Sequence, residues 1–174
     1  HDEWHVVHGK IKTRLKYGPE APDMYERLLF KGNCLSTSAV CLRRDIAKTT
    51  GGFSERKDFV TVEDYEYWIR LAEEGKFIFL NEVLGEWHTH GRNYSDNVLI
   101  HTEAYMAVVK FHLTSWIKDN KLSVREKNNK LSKFYTQAGR IVQKGKVFPS
   151  AVQYSWYAIK KNPFHLKACL ILLL

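Results

Sequence analysis

Cysteine is scarce in this chain, with three among 174 residues: Cys34, Cys41 and Cys169. The number is odd, no two form a Cys-x-x-Cys pair, and the spacing is not that of a small cross-linked scaffold, so no disulfide framework is expected. A reducing, cytoplasmic setting follows as the expectation. Proline is nearly as rare, at four, while hydrophobic residues make up 44% and charged residues 26%. That balance is a folded chain's, not a disordered one's. The length points to one compact unit with its own core rather than a two-domain enzyme. Long hydrophobic runs are also missing. The apolar end, residues 166–174, is far shorter than the roughly 20 residues needed to span a bilayer, and it either packs on this domain or continues into further sequence. The start, His1-Asp2-Glu3-Trp4, has neither a methionine nor a signal-like apolar run. The chain reads as an excised segment.

Acidic residues are almost absent from the last third. Residues 121–174 hold eleven lysines and arginines against one acid, Glu126, whereas residues 1–120 hold sixteen bases and eighteen acids. The net charge of +8 therefore belongs to the tail.

Residues 1–32 carry Gly9, Gly18, Pro19, Pro22 and Gly32, punctuation that favours extended pieces and loops. Asn33–Leu42 is rich in small, β-branched and apolar residues and reads as a buried strand, with Cys34 and Cys41 as small buried hydrophobes on its opposite faces. One helical turn over Asp45–Thr49 precedes a Gly51-Gly52 turn. A helix follows, with Thr61 as its cap, Glu63 and Asp64 in its first turn, apolar positions at Val62, Tyr65, Ile69 and Ala72, and Gly75 at its end. Phe77–Leu80 reads as a strand and Asn81–Ser95 as an irregular loop. Beyond Ser95 the spacing predicts an amphipathic helix through Val98, Tyr105, Val108, Val109, His112 and Trp116, then two or three more helices broken near Gly145 and Pro163, the last pair able to form a hairpin.

The order of motifs over residues 30–100 carries the chemistry: GNCLSTSAVCLRR, GGFSE, EDYEYWIRLAEEG, an apolar run, then HTHGRNYS. In this order they resemble the C-terminal half of family 2 glycosyltransferases of the GT-A fold. In that family a strand ending in an arginine pair leads to a Gly-Gly-Phe turn, an acidic Glu-Asp-x-Asp-x-Trp-x-x-Arg motif follows, and a loop with a histidine and a serine closes the site. Glu66 stands where the family more often has aspartate, and His88 where it more often has arginine. The resemblance implies an α/β fold: residues 1–95 as the C-terminal half of a GT-A (Rossmann-like) catalytic domain and residues 96–174 as a basic helical extension.

It further implies transfer of a sugar from a nucleotide-diphosphate donor to an acceptor hydroxyl with inversion, in the assembly of cell-surface polysaccharide or lipopolysaccharide. An alcohol is a poor nucleophile until its proton is taken in the transition state, and a carboxylate within reach can take it. By the resemblance Asp64 is that base and Glu63 holds a neighbouring loop or contacts the acceptor. Asn33, Trp68, Arg70 and His90 are the expected substrate-binding residues, with His90 near the diphosphate as the candidate metal ligand. The residues also admit plainer roles. Acids in a helix's first turn are stabilised by its unpaired N–H groups, and a Thr61-x-x-Asp64 capping box accounts for them without catalysis. Trp68 and Ile69 lie where core residues lie. Arg70 can pair with a carboxylate of the scaffold as well as of the site.

The donor side of such an enzyme has no counterpart in the sequence. No Asp-x-Asp occurs, the motif that in this family holds a divalent Mn or Mg against the diphosphate, and neither does GxGxxG or a Walker loop. Zinc is not indicated, since no cysteine-bearing zinc spacing or HExxH is present. On this reading the chain is the acceptor side of a site and is silent alone. Its basic tail, bearing Phe148, Tyr154, Trp156, Tyr157 and Phe164, suits either an anionic membrane face and a lipid-linked acceptor or a solvated surface that meets an acidic protein. Charge without a recognised motif does not make it a nucleic-acid binder. An excised half-sheet exposes an edge, so a homodimer is also expected. The rival reading is a non-catalytic basic helical module.

Overall fold

The computed structural model describes residues 1–89 and 97–172, and the fold is mixed α/β, 58% helical with one small mixed sheet. Length alone suggests a single unit, yet the packing divides the chain into two compact ones, residues 1–96 and 97–174.

In the first unit, β1 (Asp2–Val7) and β2 (Lys10–Leu15) form an antiparallel hairpin. Its two-residue turn, His8-Gly9, has positive φ at both positions, the handedness that matches strand twist. The third strand, β3 (Val83–Thr89), pairs parallel with β1, so the sheet order is β2-β1-β3 and the long crossover between β2 and β3 carries the helices. These are α1 (Met24–Lys31), α2 (Arg44–Thr50) and α3 (Glu63–Glu74). Asp23 caps α1 by accepting the Glu26 N–H at 2.8 Å. The core gathers Leu28 and Leu29 of α1, Phe59, Val62, and Tyr65, Trp68, Ile69 and Leu71 of α3. At its centre the Tyr65 hydroxyl donates to the Leu28 carbonyl at 2.9 Å.

The second unit is helical. It comprises α4 (Val98–Asp119), α5 (Val124–Lys144), α6 (Phe148–Lys161) and α7 (Leu166–Leu172). Ser123 and Glu126 form a reciprocal capping box at the start of α5. Gly139 lets α6 and α7 approach α5, since a Cβ there would stand 3.3 Å from Ser155 Oγ and 3.5 Å from Ile171 Cδ1. Ala168 and Ile171 bury the inner face of α7, so the apolar end packs on its own unit. No described helix is long and apolar enough to cross a membrane.

Four local expectations are overturned. Asn33–Leu42 is not a strand: it holds a single 3-10 turn over Thr37–Ala39, and Cys41 is exposed rather than buried. Phe77–Leu80 is not a strand either, whereas the stretch read as irregular contains β3. Residues 1–32 do hold extended pieces and loops, the extended pieces paired as a hairpin, with one short helix, α1. A strand exists only where a second strand supplies its ladder. Lys10–Leu15 has that partner, and the more apolar Phe77–Leu80 does not, with Ile78 82% exposed.

Candidate active site

The acid pair opens α3, but not through the expected cap. Val62, not Thr61, is the N-cap and makes no side-chain cap bond, while Thr61 sits one residue earlier at φ +81°. A β-branched residue in that region costs about 1–3 kcal/mol. Buried Phe59 and Val62 hold the chain there from both sides, joined by a Val62 N–H to Phe59 carbonyl bond of 3.0 Å. Asp64 binds an N–H of the helix's first turn and a hydroxyl of the 3-10 turn. Its Oδ1 accepts the Tyr65 N–H at 2.6 Å, and its Oδ2 accepts the Thr37 hydroxyl at 3.1 Å. The carboxylate is half-buried and ties the 3-10 turn to the helix start, and Glu63 beside it is exposed.

Around Asp64 the turn is rich in hydroxyls. The Ser36 and Ser38 hydroxyls lie 3.0 Å apart, and the carboxylate of Glu3, fully buried in β1, accepts the Tyr17 hydroxyl at 2.7 Å. Burial pushes the Glu3 carboxyl up, but the Ser38, Tyr17 and Ser36 hydroxyls outweigh it, and the group lies below the usual carboxylate range. The same burial, with Glu3 as acceptor, pushes the Tyr17 phenol up to about 12. Asp2 behaves like Glu3: burial raises it, and the Tyr17 N–H at 2.9 Å and Arg14 at 2.7 Å bring it net below its ordinary value. Thr37, the two serines and Glu3 were missed from sequence. The Ser36-Thr37-Ser38 run is a turn signal inside an apolar stretch, whereas nothing local marks Glu3.

No protein-family model, curated protein or solved structure matches the chain. The site is therefore read from its own residues. Arg70 is part of the scaffold. Its guanidinium grips both oxygens of buried Glu66, at 2.8 and 2.9 Å, and donates to the carbonyls of Gly52, at 2.6 Å, and Thr50. Gly51 and Gly52 make this possible, since their φ values of +77° and +74° turn the chain so that those carbonyls face α3. Phe53 then packs edge-on against Tyr67 and Trp68, at 5.0 and 6.1 Å. Glu66, Arg70 and the Gly-Gly-Phe turn thus form one clamp that fixes α2 against α3.

Trp68 is 3% exposed and stands in the core, and its Nε1 has no hydrogen-bond partner among the described residues. Asn33 is exposed, and its Oδ1 accepts the Leu35 N–H at 3.0 Å. It lines a cleft of about 550 Å³ with Lys16, Tyr17, Met24, Arg27 and Leu35. Asp64 and Glu63 are not among that cleft's lining residues, so the structure does not bring Asn33 and the acid pair into one pocket. A neighbouring cleft of about 720 Å³ is walled by Leu35, Val40, Leu42, Ile46, Phe77 and Phe79. His88, on β3, pairs with Glu86 at 2.8 Å. His90 lies outside the described residues. Among those residues no three His, Cys, Asp or Glu side chains converge as metal ligands. No step below runs through the divalent cation that the resemblance implies.

Proposed function

We propose that residues 1–96 are the acceptor side of an inverting, nucleotide-sugar-dependent glycosyltransferase with Asp64 as general base, and that the donor-binding half is supplied by polypeptide other than these residues. The observation that carries the reading is the placement of Asp64. Its carboxylate reaches the surface at a helix start, held in orientation by the Tyr65 N–H and the Thr37 hydroxyl, and the clamp through Glu66, Arg70 and Gly52 keeps that helix rigid. A base must be fixed in this way to meet an acceptor hydroxyl at hydrogen-bond distance. In the step itself the acceptor O–H proton passes to Asp64 and the oxygen forms a bond to the anomeric carbon. The bond from that carbon to the diphosphate breaks on the opposite face, and the nucleoside diphosphate leaves with its electron pair.

Supporting the incomplete-site reading, two stretches flanking the apolar cleft, 40–42 and 76–80, have no strand partner. The second unit supports a peripheral role at an anionic membrane carrying a lipid-linked acceptor. Phe148, Val152 and Trp156 form an exposed apolar stripe along α6, and Lys160 lies 5.3 Å over the Trp156 ring.

The test is Asp64→Asn in the enzyme complete with its donor half, scored by nucleoside diphosphate released from a panel of nucleotide sugars. The amide keeps an acceptor oxygen for Tyr65, so folding is retained while transfer falls by about 10²–10⁴-fold, the usual share of a general base. Retained turnover removes Asp64 from the mechanism.

A further inference from the structure

Along α5 and the start of α7 the second unit has an open concavity of about 420 Å³, largely apolar in its surface and rimmed by exposed Lys133, Arg140 and Lys144 of α5 and exposed Lys167 of α7, with Thr136, Ile141 and His165 also lining it. No acid is among its lining residues, and none of these four cations forms an ion pair with a described carboxylate. Positions 133, 140 and 144 recur at helical spacing, so α5 carries like charges along one stripe, a concentration of positive potential that attracts an anion.

The floor is built rather than incidental. Buried Ser132 donates its hydroxyl to the Ala158 carbonyl at 2.8 Å, and buried Thr136 donates to the Ser132 carbonyl at 2.8 Å. Both hydroxyl protons are spent, so the contacts of His165 Nδ1 to the two oxygens, 2.8 and 3.1 Å, require Nδ1 to carry the hydrogen. Burial, then the charges of Lys133 and Lys167, hold the imidazole below its ordinary pKa, which is what an unneutralised positive field does to a neighbouring base.

We propose that this concavity is a binding site for a phosphate ester, with Lys133, Arg140, Lys144 and Lys167 as its cationic rim. Arg140 supplies the planar fork that grips two phosphate oxygens, and the lysines supply point charges. The volume exceeds what a bare phosphate fills and lies within the range of small-molecule sites, which favours an ester over the free ion. The site is independent of the glycosyltransferase reading, because no residue of the first unit takes part.

The same headgroup chemistry reaches it from a soluble metabolite or from a lipid, and the experiment separates the two. The whole chain is titrated with glycerol 3-phosphate, following amide resonances by NMR, and is co-sedimented with phosphatidylcholine vesicles with and without phosphatidic acid. Arg140→Gln with Lys144→Gln is compared with Lys121→Gln with Lys127→Gln, which removes equal charge from the same unit outside the pocket. Saturable binding, weakened at least tenfold by the first pair and less than twofold by the second, is expected. If sedimentation with phosphatidic acid follows the same order, the ester is a lipid headgroup. If it does not, the ester is soluble. Absence of saturation in the unmodified chain, or equal weakening by both pairs, overturns the proposal.

Discussion

Replacing Arg70 by methionine keeps most of the side chain's length and removes only its fork. The Arg70 side chain is 25% exposed and the Glu66 side chain it holds is 3% exposed. The change strips Glu66 of two charge-assisted hydrogen bonds and leaves the Thr50 and Gly52 carbonyls without their guanidinium donors. Breaking a fully buried pair costs about 3–5 kcal/mol. Water reaches the exposed quarter of Arg70, which lowers the expectation to about 2–4 kcal/mol. For a unit of this size each kcal/mol moves Tm by about 4–8 °C, so a fall of roughly 8–32 °C is expected. Urea unfolding followed by the fluorescence of buried Trp68 measures it. Arg70→Lys recovers little, since one ammonium cannot span acceptors on two elements. Glu66→Leu together with Arg70→Met regains a large part of the loss, because the buried carboxylate goes with its partner. An Arg70→Met variant within about 0.5 kcal/mol of the parent refutes the clamp.

Asp2 and Glu3 both lie below their usual range in the folded chain, so the unfolded state binds more protons as pH falls from about 4–5. Their contribution to stability is complete above that range and is lost as pH drops through the lower folded values. Glu3→Gln is expected to flatten this acid limb in urea titrations run at stepped pH, and an unchanged slope counts against the assignment. In the second unit, Gly139→Val drives two methyls toward Ser155 and Ile171 and is expected to cost about 1–3 kcal/mol in thermal unfolding, against a small effect for Gly139→Ala. A neutral valine would show that α6 and α7 do not pack on α5 at that point.

The clamp and the acid pair show how unevenly the site could be read in advance. The acids at 63 and 64, the helix that bears them and the Gly-Gly turn were legible, because a turn formed by glycines and a helix with acids at its start are local facts. That Arg70 would reach back across α2 to the Thr50 and Gly52 carbonyls was not, and neither was the bond from the Tyr65 N–H to Asp64. Thr37 meets Asp64 only because the chain between them folds back, so no spacing rule connects them.

From sequence alone came α3 to α7 in outline and the confinement of positive charge to residues 121–174, since a helix closes its hydrogen bonds within four residues and charge is additive along a chain. Tertiary structure decided the strands. Lys10–Leu15 became one and Phe77–Leu80 did not, because a ladder is made with a distant partner rather than by the segment itself. It also decided which polar groups meet: Glu3 with the Tyr17 hydroxyl, Arg70 with two carbonyls, and four cations around one hollow.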